Sequence, residues 1–291
     1  MSVKHPIISV TGSSGAGTTS VRQTFEIIFR REHINAAFIE GDAFHRYDRT
    51  EMEWAMAEAK KRGNNHFSHF GLEANLLEEL DEVFTSYGEF GTGRSRHYIH
   101  DEVEAERHGA PIGTFTPWED FPRNTDLMFY EGLHGAVKTD KVNLARHGDL
   151  KIGVVPVINL EWIQKLQRDK SFRGYTQEAA IDAILTRMPD YVKYICPQFT
   201  ETDINFQRIP TVDTSNPFIA RWIPTADESM VVIRFRDPRG IDFPYLLSMV
   251  PDSFMSRANS VVIPGSKLDL AMQLILTPLI LTLVERKRRA S

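Results

Sequence analysis

The segment Gly12-Ser13-Ser14-Gly15-Ala16-Gly17-Thr18-Thr19 constrains this chain more than any other stretch of it. It follows a short apolar run, Pro6-Ile7-Ile8-Ser9-Val10-Thr11, and precedes Val21, Phe25, Ile28 and Phe29 at helical spacing. Strand, glycine-rich turn and helix, in that order, are the context of a phosphate-binding loop. Glycine lets successive N–H groups turn inward, and the helix N-terminus adds partial positive charge, so the turn becomes an anion cradle. The expected nucleotide-binding stretch runs from Gly12 to Ser20, with the Thr19 hydroxyl on Mg²⁺. A glycine-rich turn that binds nothing is the plainer reading.

The loop fits G-x-x-x-x-G-K-[ST] except that Thr18 stands where lysine belongs. That substitution removes a cation that reaches the β- and γ-phosphates. Either the site binds nucleotide without transferring phosphate, or another cation moves in. Lys165 and Arg168 lie three apart on a helix expected over Leu160 to Asp169, hence on one face, and Arg173 follows in a loop expected from Lys170. A mobile basic segment of this kind supplies charge when a site closes. A solvated basic face between two helices has the same spacing.

Near-continuous apolar runs at Ala36 to Glu40, Leu127 to Tyr130 and Leu150 to Ile158 read as further strands buried on both faces of a largely parallel sheet. Helical patterns fill the gaps at Glu51 to Arg62, Leu72 to Tyr87 and Thr176 to Tyr194, and an apolar helix near Leu268 to Val284 closes the chain. From about residue 203, Ile204 to Val212, Met230 to Phe235 and Ser260 to Ile263 are β-like and separated by turn residues. The expected fold is therefore one α/β unit over 1–291, a mostly parallel sheet flanked by helices, with strands of the last third extending or flanking it.

Ligands of open α/β sheets sit beyond the carboxyl ends of the strands, where Asp42 and Glu131 fall. Asp42 opens Asp42-Ala-Phe-His45-Arg46-Tyr-Asp-Arg49, which suits a base that deprotonates an attacking hydroxyl, with His45 and Arg49 holding an anionic acceptor. A helix N-cap aspartate is the plainer alternative. Glu131 occupies the position of a Walker-B-like acid that holds Mg²⁺, and His134 reads as a loop histidine. As a strand, Arg94 to His100 would present Arg94, Arg96, Tyr98 and His100 on one face, either an anion-binding wall or a half-exposed edge.

A net charge of −5, from 34 Lys+Arg against 39 Asp+Glu, argues against general nucleic-acid binding. The single Cys196 excludes an internal disulfide and suits an intracellular, cytoplasmic protein. The N-terminus lacks a secretory pattern. The apolar run near residue 268 carries Asp269, Gln273 and Pro278, so it reads as a packed helix and not a membrane span.

Longer blocks carry a resemblance. GSSGAGT (12–18), EGDAFHR (40–46), FSHF (67–70), FYEGLHGA (129–136), KIGVVPVINLEWIQK (151–165), TDINFQR (202–208), VDTSNPFIARWIPTADES (212–229) and PRGIDFPYL (238–246) resemble the phosphoribulokinase family in its proteobacterial form, which also lacks the loop lysine. The resemblance implies an adenylate-kinase-like P-loop core and transfer of phosphate from ATP, with Mg²⁺, to the 1-hydroxyl of D-ribulose 5-phosphate in Calvin cycle carbon fixation. It makes Asp42 the base, places His45, Arg49, Tyr98, His100 and Lys165 around the sugar phosphate, and assigns Arg168 and Arg173 to the closing segment. It further implies a homo-octamer activated by NADH and inhibited by AMP, with Arg31, Arg234 and Arg257 as effector-site candidates. The disulfide-switched form carries a loop cysteine that Ser13 and Ala16 replace here. A uridine-kinase-like nucleoside or sugar kinase, or a nucleotide sensor without turnover, are the competing readings.

Overall fold

In the computed structural model the described residues are 4–13, 18–172 and 176–290, with the side chains of 18–20 and 168–172 left aside. The elements run β1 (Ile7–Thr11), α1 (Thr18–Arg31), β2 (Ala36–Glu40), α2 (Arg49–Lys61), α3 (Leu77–Phe90), β3 (Arg94–Ser95), α4 (Glu102–His108), β4 (Glu119–Asp120), β5 (Leu127–Gly132) and β6 (Leu150–Val155). There follow α5 (Ile158–Phe172), α6 (Gln177–Asp190), β7 (Ile204–Pro210), β8 (Ser229–Phe235), α7 (Phe243–Met249), β9 (Phe254–Arg257), β10 (Ser260–Pro264) and α8 (Leu268–Ala290).

The main sheet has the order β2-β5-β1-β6-β7-β8-β10-β9. Its first five strands are parallel and its last three antiparallel, so the strands of the last third extend one edge. Alternation sorts the side chains: Ile8, Val10, Leu127 and Phe129 pack with α1 and α8, while Ile7, Met128 and Tyr130 pack with α3. Helices on both faces explain why β1 and β5 read as almost unbroken apolar runs. Phe129 sits among Phe25, Phe29 and Phe38, with ring centroids 4.7, 5.7 and 5.5 Å away.

The closing helix α8 is long and apolar enough to cross a membrane by length and composition. Its residues Met272, Ile275, Leu276, Ile280, Leu283 and Val284 are nevertheless buried in the core with the sheet and α1. Arg31 at the end of α1 donates to Gln273 Oε1 and Thr277 Oγ1 on the same helix, at 3.1 and 3.0 Å.

Several elements differ from the periodicity. The helix expected over 72–87 is a 3₁₀ turn, Leu72–Ala74, followed by α3, because Asn75 turns its side chain back onto His69 O and Gly71 O. The strand expected to reach Ile158 stops at Val155, before Pro156. The helix expected to end at Asp169 starts at Ile158 and continues to Phe172, so Lys170 is helical and not in a loop. The helix expected to reach Tyr194 widens into a π-helical turn, Tyr191–Ile195, just after Pro189, whose missing N–H removes a ladder hydrogen bond. Arg94 to His100 is no strand: only Arg94–Ser95 pairs, with Glu119–Asp120, and Tyr98 makes an isolated bridge to Phe115.

Candidate active site

All five parallel strands end on one edge of the sheet, and the turns after β1, β2 and β5 meet there. Glu131 is in register with Val10 on one side and Glu40 on the other. Gly41 and Gly132, just beyond these acids, touch backbone to backbone: a Cβ on Gly132 would lie 2.6 Å from Gly41 Cα. Only glycine permits that approach, so Glu40-Gly41-Asp42 and Glu131-Gly132 bring the Asp42 turn against the Glu131 strand end. The Gly12 N–H donates to Gly132 O at 3.2 Å, which puts the start of the glycine-rich loop beside the same acid.

Asp42 lies in a 3₁₀ turn, Gly41–Phe44, and does not cap a helix; Asp48 caps α2 in a capping box with Glu51. Asp42 Oδ1 is 3.1 Å from His45 Nε2, and its Oδ2 is 3.4 Å from His100 Nε2. Burial would raise the Asp42 pKa, but His45 and His100 outweigh it and hold the carboxyl well below the usual carboxylate range. Burial opposes charge on His45 as well, and Asp42 and Asn75 more than offset it, so its pKa is raised. The two residues form an ion pair in which His45 is buried and the Asp42 carboxylate is partly exposed.

The remaining acceptor-side candidates form a chain outward from Asp42. The His100 ring lies 4.9 Å from that of Tyr98, whose hydroxyl is hydrogen-bonded by Arg49. Burial raises the Tyr98 pKa, with Arg49 acting against it. Asp42, His45, Arg49, Tyr98 and His100 are therefore brought together, although the one-face reading of 94–100 is corrected. Arg96 turns inward to donate to the carbonyls of Ala43 and His45, both at 2.8 Å, and lies over Phe115, 3.5 Å from the ring centroid. Two of its donors are used on backbone, so it shapes the Asp42 turn. Arg94 sits over Trp118, 5.4 Å from that ring's centroid.

Of the glycine-rich loop, Ser14 to Gly17 lie outside the described residues, as do the side chains of Thr18, Thr19 and Ser20. Ser13 hydrogen-bonds Glu161 in the first turn of α5, and Glu161 Oε2 accepts from Tyr191 at 3.2 Å. The loop is thus tied to the helix that carries Lys165, half-buried one turn beyond Glu161. Arg168 lies further along α5 with its side chain outside the described residues, and Arg173 falls outside them altogether.

Sequence reasoning missed His69 and Asn75. The His69 ring lies tilted against that of His45 with centroids 4.3 Å apart, and burial, then the charge on His45, hold its pKa well below the ordinary histidine value. FSHF contains His69, but nothing local marks it. His134 is more than a loop histidine: it is buried, its Nε2 lies 3.1 Å from Phe70 O, and burial lowers its pKa to about 4.

The effector candidates lie at the opposite edge of the sheet. Arg234, near the end of β8, and Arg257, at the end of β9, are both in register with Ser260 on β10. Arg31 ends α1, which runs back from the loop at the active edge. The alternation of β8 puts Arg234 on the face opposite Ile233 and Phe235, whereas Arg31 packs with α8 on their side.

Residues 7–215 match the family described as Phosphoribulokinase / Uridine kinase. A protein named phosphoribulokinase from Nitrobacter vulgaris is 74% identical over 287 residues, 99% of each chain, and one from Xanthobacter flavus is 70% identical over 290 residues covering both chains. The solved phosphoribulokinase from Rhodobacter spheroides superposes with a TM-score of 0.91 at 62% identity, over 99% of this chain and 100% of that one. The glycine-rich loop after β1, the acid-ended strands and this match over the full chain lead to one conclusion: the chain belongs to the phosphoribulokinase / uridine kinase family and is a P-loop kinase.

Proposed function

We propose that this kinase transfers the γ-phosphoryl group of ATP to the 1-hydroxyl of D-ribulose 5-phosphate, giving D-ribulose 1,5-bisphosphate and ADP in Calvin cycle carbon fixation. The observation that carries this reading is the convergence of His45, His100, Tyr98 and Arg49 around one ionised carboxylate, Asp42, whose turn meets the end of β5, the strand end that the start of the phosphate loop also touches. Cationic neighbours suit an acceptor that is itself phosphorylated, and an uncharged nucleoside would leave them unused. The names of relatives up to 74% identical support the same acceptor.

Asp42 takes the proton of the attacking hydroxyl, His45, Arg49, Tyr98 and His100 hold the sugar phosphate, and Gly12 to Ser20 cradle the nucleotide phosphates. Lys165, Arg168 and Arg173 supply the cationic charge that Thr18 does not. When bound, Mg²⁺ would supply charge neutralisation for the phosphoryl group in transfer. The residues present fit it, since the Glu131 carboxylate borders the start of the loop. Mg²⁺ prefers one or two protein oxygens plus substrate phosphates, which Glu131 and Thr19 provide.

The wider assignment is a cytoplasmic homo-octamer activated by NADH and inhibited by AMP, with Arg31, Arg234 and Arg257 as effector residues. Their place at the edge away from Asp42 supports a regulatory role over a catalytic one. ADP release with ATP, Mg²⁺ and either ribulose 5-phosphate or uridine tests the central reading. Release with the pentose phosphate alone is expected, and release with uridine alone overturns it.

A further inference from the structure

His45 and Asn75 face each other across an isolated antiparallel bridge. The two bonds of that bridge, Leu76 N–H to Phe44 O at 2.7 Å and Arg46 N–H to Ala74 O at 2.8 Å, flank the pair without using its own backbone groups. This is the non-hydrogen-bonded type of pair, in which side chains come closest. His45 Nδ1 accordingly lies 2.8 Å from Asn75 Oδ1, and both residues are buried.

The orientation of the Asn75 amide leaves no freedom. One of its terminal atoms lies 2.8 Å from His69 O and 2.6 Å from Gly71 O, and only the nitrogen donates to two carbonyls. The atom facing His45 is therefore the oxygen, an acceptor, and His45 Nδ1 must carry a hydrogen. On the other side of the ring, Nε2 meets the Asp42 carboxylate at 3.1 Å, a second acceptor, so it carries one as well. A neutral imidazole has one N–H and would leave an acceptor facing an acceptor. Arg96, which holds the His45 carbonyl, fixes the backbone of the same residue.

We propose that Asn75 is a positioning residue that fixes His45 as a doubly protonated imidazolium, so that the site meets a phosphorylated acceptor with a cation already in place. This rests on the proposed acceptor, ribulose 5-phosphate. The charged or titratable groups that face His45 are Asp42 on its own turn, His69 with its ring tilted against it, Arg96 from the loop after β3 and His134 from the loop after β5; His100 faces Asp42, and Arg187 on α6 faces His69. Burial disfavours charge on His69 and His134, so neither sets a second imidazolium against His45; Arg96 is the cation that opposes its charge. The raised pKa of His45 agrees with the geometry.

Two measurements test this. In histidine-labelled native protein at pH 7.5, the imidazole resonance lost in His45→Gln is expected to show both nitrogens protonated; a single neutral tautomer overturns the proposal. In parallel, Asn75→Leu is expected to raise KM for ribulose 5-phosphate about tenfold or more at pH 8, less at pH 6, with kcat changed far less, because a hydrogen bond to a charged group is lost. An equal rise of KM at pH 6 and pH 8 in Asn75→Leu assigns Asn75 a packing role only and overturns the proposal. If native protein releases no ADP with ribulose 5-phosphate, the functional reading falls, while the resonance of His45 still decides its charge.

Discussion

The two halves of the main sheet share one hydrogen-bonded plane and do different work. In β2-β5-β1-β6-β7 every strand points the same way, so every carboxyl end, and the turn after it, arrives at one edge. In β8-β10-β9 the direction alternates, so no edge collects the strand ends, and the residues are committed to packing under α8. The family match stops at residue 215, just past β7, the last parallel strand. Parallel order makes a place for chemistry, and the antiparallel extension makes core. Asp42→Asn attacks the first half. Loss of a general base costs about 10²–10⁴-fold in rate, so kcat per folded molecule is expected to fall that far. Full turnover under chemistry-limited conditions would remove Asp42 from the mechanism.

Leu276→Ala attacks the second half. Leu276 is fully buried on α8 among Val261, Ile263 and Phe235 of the same core. A Leu→Ala change of this kind destabilises by about 2–5 kcal/mol. Denaturant unfolding is expected to report that loss, with turnover per folded molecule within about twofold of native. A large fall in kcat at full folding would mean that the extension reaches the site, and the contrast between the halves would fail.

Much of this was readable in advance, and what was not has a common cause. The strand before the glycine-rich segment, the helix after it, and the strands that end near Asp42 and Glu131 are local patterns, and each element lies where its pattern put it. Asn75 and His69 belong to the site through a bridge and a ring contact that span 30 and 24 residues of chain, and no local period encodes those. The alternation at 94–100 misled because Arg96 finds its partners on the Ala43 and His45 carbonyls, a non-local satisfaction that pulls the chain out of strand geometry. The break in the helix at 72–76 has the same origin, since the Asn75 amide serves His69 and Gly71 instead of facing solvent.

The buried histidines give the active edge a pH signature. His134 is held at about 4 by burial, against about 6.5 in an unfolded chain. Between those values the unfolded state binds a proton that the folded state does not, so stability falls as pH drops from about 6.5 to about 4 and is flat below. The contribution of this one residue is at most about 3 kcal/mol. His134→Gln keeps an N–H for Phe70 O and removes the titration, so urea midpoints measured from pH 7 to pH 4 are expected to fall less steeply than in the native protein. An unchanged slope would place the acid sensitivity elsewhere, with His69 the next residue to replace.

The smallest expected effect on stability concerns Arg31, where the two halves meet. Its guanidinium joins the end of α1, from the parallel half, to Gln273 and Thr277 of α8, and its side chain is 48% exposed. Exposed polar contacts of this sort contribute little, so Arg31→Ala is expected to move the unfolding free energy by no more than about 0.5 kcal/mol. Its place at the edge opposite Asp42 leaves substrate KM nearly untouched on physical grounds. The proposed effector role predicts a separate result: the ratio of turnover with NADH to turnover without it falls to one in Arg31→Ala. Because Arg31 and Arg234 belong to opposite faces of the sheet, a small effector reaching both would need a second copy of the chain to bring the faces together. Loss of the NADH response in Arg31→Ala and in Arg234→Ala, at native stability, would make the sheet's far edge a regulatory surface. A response intact in Arg31→Ala would reduce that arginine to a clasp between α1 and α8.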